Sequence, residues 1–477
     1  MSATIVWFRR DLRLTDNPAV TSAAARGPVI PQFVWAPEED GDWAPGGAQR
    51  WWLHESLDSL SKALAAQDSR LIIRRGPTAE ALAAVIEETG ATAVVWNRLY
   101  EPSARERDRE IASDLKERGI EIGHSEAALL WRPGSILPGS DSPYRVFTPF
   151  WKACLKAPAP GAPLPAPECL EPPEQWPSGA TVDALGLRPA IRWYDGIAAS
   201  WTPGEDGAHA RLEAFLDAGV GDYDTARDLP AEDGVSRLSP YLHFGEISAR
   251  SVWSEVSARR SDPDLARGAE AYLRELGWRE FAHHVLYHFP ATVTEPLNER
   301  FERFPWETGP SPALEAWQRG RTGIPIVDAA MRQLWQTGWM HNRARMIVAS
   351  LLVKNLGIHW HEGARWFWDT LVDADLASNT MGWQWSAGCG ADAAPYFRVF
   401  NPVRQGERFD AAGAYVRRYV PELSELPDGY VHEPWTLPAR DRQRLGFEPG
   451  ETYPAPLVDL KESRQAALDA YQTVRSG

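Results

Sequence analysis

Three short stretches carry side chains whose types and spacing can do chemistry. In Glu275-Leu-Gly-Trp278-Arg279-Glu280-Phe281, a helix would set Glu275, Trp278 and Arg279 on one face through i,i+3 and i,i+4 spacing. A carboxylate, an indole plate and a guanidinium together can stack on a base, accept from its edge and pair with phosphate. A core-packed Trp with a Glu–Arg pair at its rim explains the same residues without a ligand. In Thr-Gly-Trp-Met-His-Asn342-Arg343-Ala-Arg345-Met346, Asn342 and Met346 are one helical turn apart and Arg345 is close by. Such a helix lines a pocket with an amide, a thioether and a cation. A buried guanidinium needs a carboxylate, and Asp373 in Leu371-Val-Asp373-Ala374-Asp375-Leu-Ala-Ser-Asn379 is the candidate. Asp373, Asp375 and Asn379 can bind the polar edge of a heterocycle. They can equally cap the next helix, or hold a divalent metal, although no third hard ligand presents itself. Further on, Trp383 and Trp385 stand two apart. They cannot share a helix face, so one points at a ligand and the other into the interior.

The elements that must position these groups fall into two halves. Over the first 130 residues, short β-branched runs at 4–8, 29–34, 71–74, 93–96 and 121–124 alternate with helical patterns at 17–25, 48–67, 78–89 and 102–118. This alternation predicts an α/β domain with a doubly wound parallel sheet. Gly76-Pro77-Thr78 is a stop-and-start signal with Thr78 as N-cap, and Pro102 suits a first helical turn. No GxGxxG opens a helix and no GxxxxGK[ST] occurs, so the fold alone names no ligand. Residues 131–200 lose the pattern. Eight prolines between Pro158 and Pro177 mark a connector, either wrapped on the surface or flexible. From residue 201 the strand signals stop, and helical patterns at 207–218, 248–259, 264–288, 326–337, 342–356 and 362–371 predict an all-α domain. It ends near Trp435, with a polar tail out to residue 477. The domains are therefore 1–130, 131–200 and 201–477.

Composition removes several function classes. The chain has 477 residues, 50 Lys+Arg and 65 Asp+Glu, for a net charge of −15. A uniformly basic nucleic-acid coat is excluded, whereas a local basic groove is not. Residues 321–360 carry Arg321, Arg332, Arg343, Arg345 and Lys354 against Asp328 alone, which is an anion-binding face or a solvated helix surface. Cys154, Cys169 and Cys389 lie far apart, excluding a disulfide framework and a Cys-rich zinc site. The apolar run 346–353 is too short to span a bilayer. The opening MSATIVWFRRDLRL places its charges after a short apolar run, the reverse of the pattern expected of a signal peptide. The 23 tryptophans exceed what packing usually needs, and stacking on bases or a planar cofactor is one use for them.

Taken together, TGWMHNRARM (337–346), DADLASN (373–379), GWQW and DAAPYFRVFNP (382–402) and the N-terminal VWFRRDLRLTDN (6–17) resemble the photolyase/cryptochrome flavoprotein family, over nearly the whole chain. The resemblance implies a DNA photolyase: a carbon–carbon lyase that repairs cyclobutane pyrimidine dimers by light-driven electron transfer from reduced FAD, the dimer being flipped out of the duplex. Its closest rival is a cryptochrome-type blue-light photoreceptor without repair. By the resemblance, Tyr223, the turn Val235-Ser236-Arg237-Leu238-Ser239, Tyr272, Arg345, Asp373, Ala374, Asp375 and Asn379 hold FAD. Val235 stands where Thr is frequent. Glu275, Asn342, Met346, Trp278 and Trp385 line the dimer cavity, and Trp306, Trp360 and Trp383 form an electron-hopping chain. Arg227, Arg279, Arg343, Arg398 and Gln405 contact DNA, alongside Glu275, Trp278 and Asn342. No metal is expected. The stretches 45–57 and 96–102 resemble members close to plant cryptochromes, which favours a methenyltetrahydrofolate antenna over a deazaflavin. The expected partner is damaged DNA, and the expected setting is a monomer in the cytoplasm without an obligate protein partner.

Overall fold

The computed structural model describes residues 2–139, 142–393 and 397–476. Strands β1 (Thr4–Phe8), β2 (Val29–Trp35), β3 (Ile72–Arg75), β4 (Ala93–Asn97) and β5 (Glu121–Ser125) form one parallel sheet in the order β3-β2-β1-β4-β5. Helices Pro18–Ala24, Gly47–Ala65, Thr78–Thr89 and Pro102–Glu117 connect them. Asn17 caps the first by accepting from Val20 N at 3.3 Å, and Pro18 fills its first turn. Thr78 is not an N-cap: it is the first helical residue, and its N–H and Oγ both donate to Glu39 at 2.6 Å. A carboxylate distant in sequence does what a local cap was expected to do.

Alternation along β1 decides how the halves join. Ile5 and Trp7 face one core with Val94, Trp96, Leu82 and Ile111. Val6 and Phe8 face another core, shared with Leu212, Phe215, Tyr272 and Leu276 of the helical half. The second face of the sheet packs on helices Pro18–Ala24 and Gly47–Ala65, and helices from beyond residue 200 join the same core. Polar ties reinforce the contact. Glu205 accepts from Leu14 N and Thr15 N at 2.8 and 2.9 Å, and the fully buried Asp16 pairs with Arg250 at 2.5 Å.

The proline-rich connector is wrapped. Leu164 N donates to Asp16 at 2.9 Å, Val29 N donates to Glu171 O at 2.8 Å, and Ala180 bridges Ile73 on edge strand β3. After it come helices Glu205–Ala218, Ser239–Phe244, Ala249–Arg259, Ala266–His288, Pro325–Thr337, Asn342–Ser350, Trp360–Thr370 and Leu376–Ala387, with shorter ones between. The pattern expected to run as one helix to residue 356 changes at Leu351 into a single π-helical turn, Leu351–Asn355. The polar tail also needs correction. Residues Leu460–Ser476 form a helix whose Ala467 and Val474 join the main helical core.

Candidate functional site

Two helices that carry site residues begin with a histidine cap. Nδ1 of His341 accepts from Arg343 N at 3.1 Å, and Nδ1 of His359 accepts from His361 N at 3.1 Å. Burial pushes both imidazoles down to about 4, which keeps them in the neutral form that can accept. The first cap fixes the helix bearing Asn342, Arg343, Arg345 and Met346. From it, Arg345 reaches Asp373 with N–O distances of 2.8 and 3.0 Å, and its Nε donates to Met340 O. Ala374 is buried, and its carbonyl accepts from Gln49 of the Gly47–Ala65 helix at 2.9 Å. Asp375 caps helix Leu376–Ala387 by accepting from Ser378 N at 2.8 Å, and Asn379 donates to Ala364 O at 3.0 Å.

The cap is only half of what Asp375 does. Its other oxygen lies 3.5 Å from Nε2 of His283, and the donor atoms of Glu101, His283 and Asp375 all lie within 4.8 Å of one another. Sequence reasoning missed His283 and Glu101, because they come from the long helix and from the loop after β4. No local spacing announces them. Arg10 pairs with Glu101 and supplies the cation there. Burial opposes ionisation of Asp375, but His283, His243, Arg279 and the Ser378 amide hold its carboxyl well below the usual range.

The turn 235–239 is held in a defined conformation. Arg237 adopts φ +51°, a left-handed conformation uncommon for a non-glycine residue. Tyr272 donates to Ser236 Oγ at 2.9 Å, and Leu238 N donates to the same oxygen at 3.3 Å. Arg211 binds the carbonyls of Val235 and Ser236, and Trp339 donates to Ser239 Oγ at 3.4 Å. Tyr223 meets Tyr272 edge-on with centroids 5.1 Å apart. Burial, then its bond to Ser236, set the Tyr272 phenol, which ends pushed up to about 12.

The residues assigned to a dimer and to DNA divide. Glu275 pairs with Arg227 at 2.5 Å, and Arg343 pairs with Asp228 at 2.6 Å while lying 3.9 Å from the Met346 sulfur. Asn342 is exposed and Met346 half-buried on the same helix face. Trp385 donates to Asp392 O at 3.2 Å, and Arg398 lies exposed over Phe400. Gln405 sits half-buried on the Pro402–Phe409 helix. Trp278 stacks on Phe147 of the connector with centroids 3.8 Å apart, so one face of its ring is already covered. Arg279 turns away from Glu275 and donates to Ala128 O at 2.8 Å. The one-face grouping of Glu275, Trp278 and Arg279 therefore does not extend to the guanidinium. Ala394, Pro395 and Tyr396 of the DAAPYFRVFNP stretch lie outside the described residues.

The three hopping candidates run from interior to surface. Trp383 and Trp360 are 2% and 1% exposed, and Trp306 is half-buried. The Trp383 ring lies against Gly363, where a Cβ would come within 2.1 Å of it, and Trp360 stands one turn before Gly363. His359 lies between Trp360 and Trp306, with centroids 5.5 and 5.6 Å away. Trp383 and Trp385 divide as their spacing requires: the first is buried and the second half-buried.

A separate cavity opens where β1 ends, between its neighbours β2 and β4. It is lined by Arg10, Gln49, Leu53, Leu99, Glu101 and Trp368, among others. Such a reversal of strand order is where open α/β sheets leave a crevice for ligands. The stretches 45–57 and 96–102 both reach it.

Residues 272–473 match the family model described as the FAD binding domain of DNA photolyase, and residues 4–168 match the model described as DNA photolyase. The helical half is thus an FAD-binding domain. The chain is 45% identical to a deoxyribodipyrimidine photo-lyase of Agrobacterium fabrum, covering 99% of this chain and 98% of that one. It is 39% identical to cryptochrome-2 of Arabidopsis thaliana, covering 99% and 79%. The crystal structure of a bacterial class III photolyase from Agrobacterium tumefaciens superposes with a TM-score of 0.96 at 44% identity, covering 100% and 98%. The chain belongs to the photolyase/cryptochrome family.

Proposed function

We propose that this protein is a deoxyribodipyrimidine photo-lyase that repairs cyclobutane pyrimidine dimers in DNA, acting as a monomer in the cytoplasm. The observation that carries the reading is the placement of Asn342 and Met346 on one exposed helix face whose next inward residue, Arg345, is locked to Asp373. A substrate surface and an anchored cofactor surface then share one short helix.

The residues present fit FAD. The left-handed turn at Arg237, with Ser236 and Tyr272 bonded beneath it, suits a phosphate group. Arg345, Asp373, Asp375 and Asn379 offer charge and amide groups to a polar ring edge. Held there, reduced FAD would supply the light-driven one-electron chemistry that opens the dimer ring. The chain's own residues bind and orient: Glu275 accepts from a thymine edge, Trp278 offers its open ring face, and Arg227 and Arg343 approach the DNA backbone. Neither Asn342 nor Met346 can act as a general acid, which suits a lesion whose ring opening needs no proton donor there. Residues 338–410 carry seven basic and seven acidic side chains, so DNA affinity is modest and salt-sensitive.

The crevice at the end of β1 is read as an antenna site, with methenyltetrahydrofolate favoured over a deazaflavin. The cryptochrome reading is kept because of the 39% identity to cryptochrome-2. Asn379, where plant cryptochromes tend to carry Asp, weighs against it. Oligonucleotides carrying a cyclobutane dimer or a (6-4) lesion, incubated with fully reduced protein under blue light, discriminate the readings. Recovery of intact thymine from the first alone is expected, and recovery from neither moves the protein to the photoreceptor class.

A further inference from the structure

Lys354 is 3% exposed, and a buried ammonium is costly unless its charge is compensated. Among the described residues no carboxylate pairs with it. Its Nζ donates to Ala387 O at 2.6 Å and lies 3.1 Å from the centroid of the Phe397 ring. These two contacts are ten positions apart in sequence. They grip the end of helix Leu376–Ala387 and the chain that returns towards the Asn342–Ser350 helix. One turn earlier, Ser350 Oγ accepts from Phe400 N at 3.2 Å, a third hold on the same returning chain. One turn earlier again stands Met346. Met346, Ser350 and Lys354, each four residues apart, line one small cavity with Trp385, Phe397 and Arg398.

The surrounding backbone is built for this lysine. It sits in the π-helical turn Leu351–Asn355, a form that is rare and concentrated at functional sites. Gly388 has φ +88°, and a Cβ there would come 3.1 Å from Nζ and 3.4 Å from the Phe397 ring. Glycine is thus required twice, for the backbone turn and for the space Nζ occupies. Phe397 is held from its other side by Tyr471 of the C-terminal helix, stacked at 4.5 Å and 6°.

We propose that Lys354 is a positioning residue for lesion recognition: its buried Nζ fixes the wall that carries Trp385 and Arg398 against the helix that carries Met346. This rests on the repair reading above. A long side chain ending in a nitrogen donor is suited to the task because one group reaches a carbonyl and an aromatic face at once, which no apolar side chain of that length does.

The test uses the full-length, FAD-loaded protein and three variants: Lys354→Met, Lys354→Arg and Gly388→Ala. Binding to duplex containing one cyclobutane dimer and to the same undamaged duplex is measured, together with FAD content and the rate of blue-light flavin reduction. Lys354→Met and Gly388→Ala should each lose about tenfold in preference for damaged duplex, with FAD content and photoreduction within twofold of wild type. Lys354→Arg, which keeps an N–H donor on a long side chain, should recover most of the preference. Lys354→Met binding the dimer as wild type does overturns the role of Lys354 alone. Loss of FAD and photoreduction in parallel with binding also overturns it, since that marks general collapse. Wild type without any preference for the dimer overturns the repair reading, and this inference with it.

Discussion

Arg345 and Asp373 stand 28 positions apart and meet through one guanidinium nitrogen placed 2.8 and 3.0 Å from the two carboxylate oxygens. The carboxylate side chain is 2% exposed and the guanidinium 26%, so the pair is anchored from its acidic end. Removing that anchor leaves a half-buried cation facing an amide. Asp373→Asn should therefore cost about 3 kcal/mol of stability and release FAD at least tenfold more readily. Denaturant unfolding and flavin fluorescence of the filtrate measure the two effects, and retention equal to wild type would remove the pair from the cofactor site.

Photoreduction should depend on Trp306 more than repair does. The ring lies at the half-buried end of the path through His359, Trp360, Gly363 and Trp383. Trp306→Phe keeps a ring against Phe304 but removes the readily oxidised indole. Blue-light reduction of the oxidised flavin should slow at least tenfold, while repair by chemically pre-reduced protein stays within twofold. Equal loss of both would make Trp306 a packing residue.

The histidine cap makes stability fall in acid. The unfolded imidazole titrates near 6.5, whereas burial holds His341 down to about 4. The unfolded chain binds the extra proton between those values, so the contribution is complete above about 6.5 and drains as pH falls toward 4. His341→Ala should cost about 1 kcal/mol at pH 7. His341→Asn, which caps without titrating, should flatten the slope of the denaturation midpoint between pH 6.5 and 4.5. An unchanged slope would remove His341 as its source.

Glu280 acts in the opposite direction. It is 3% exposed and accepts from Leu130 N and Trp131 N at 3.0 and 3.1 Å. Burial raises its carboxyl to about 7 against an ordinary 4.5, despite Arg279 and the two amides. Across that window the folded protein holds a proton the unfolded chain has lost, so this contribution weakens as pH rises and is gone above about 7. Glu280→Gln should gain roughly 1–3 kcal/mol over wild type at pH 8 and little at pH 5, read from urea midpoints at the two values.

What could be read from sequence followed the range of the forces involved. The strands were found within a residue or two because the runs at 4–8 and 93–96 are short, β-branched and bounded by turn residues. The Arg345–Asp373 pair was readable because a buried guanidinium demands a carboxylate and only one stretch offered it. Groups assembled from several segments were not. Glu101 and His283 reach Asp375 from opposite halves of the chain, Glu39 stands in for the cap expected of Thr78, and Phe147 covers Trp278 from a connector that shows no pattern. The C-terminal helix was read as a polar tail because Ala467, Tyr471 and Val474 form a narrow apolar stripe among many charges.

The shared core beneath β1 also sets an order of events during synthesis. The last strand ends at Ser125, yet the core on the face bearing Val6 and Phe8 takes in residues out to Val372. On the ribosome, helices Pro18–Ala24 and Gly47–Ala65 can cover part of that face early, but the core closes only after roughly 250 further residues, about 12–50 s at ordinary elongation rates. Until then the side of that core turned to the helical half lacks its partners Leu212, Phe215, Tyr272 and Leu276. The proline-rich connector, bonded to Asp16 and Val29, is the first segment to reach the sheet after its last strand, and its Leu170, Leu185 and Leu187 enter the same core. Completion of the N-terminal domain's core is therefore tied to synthesis of the helical half, so truncation before residue 372 removes part of the packing under the sheet as well.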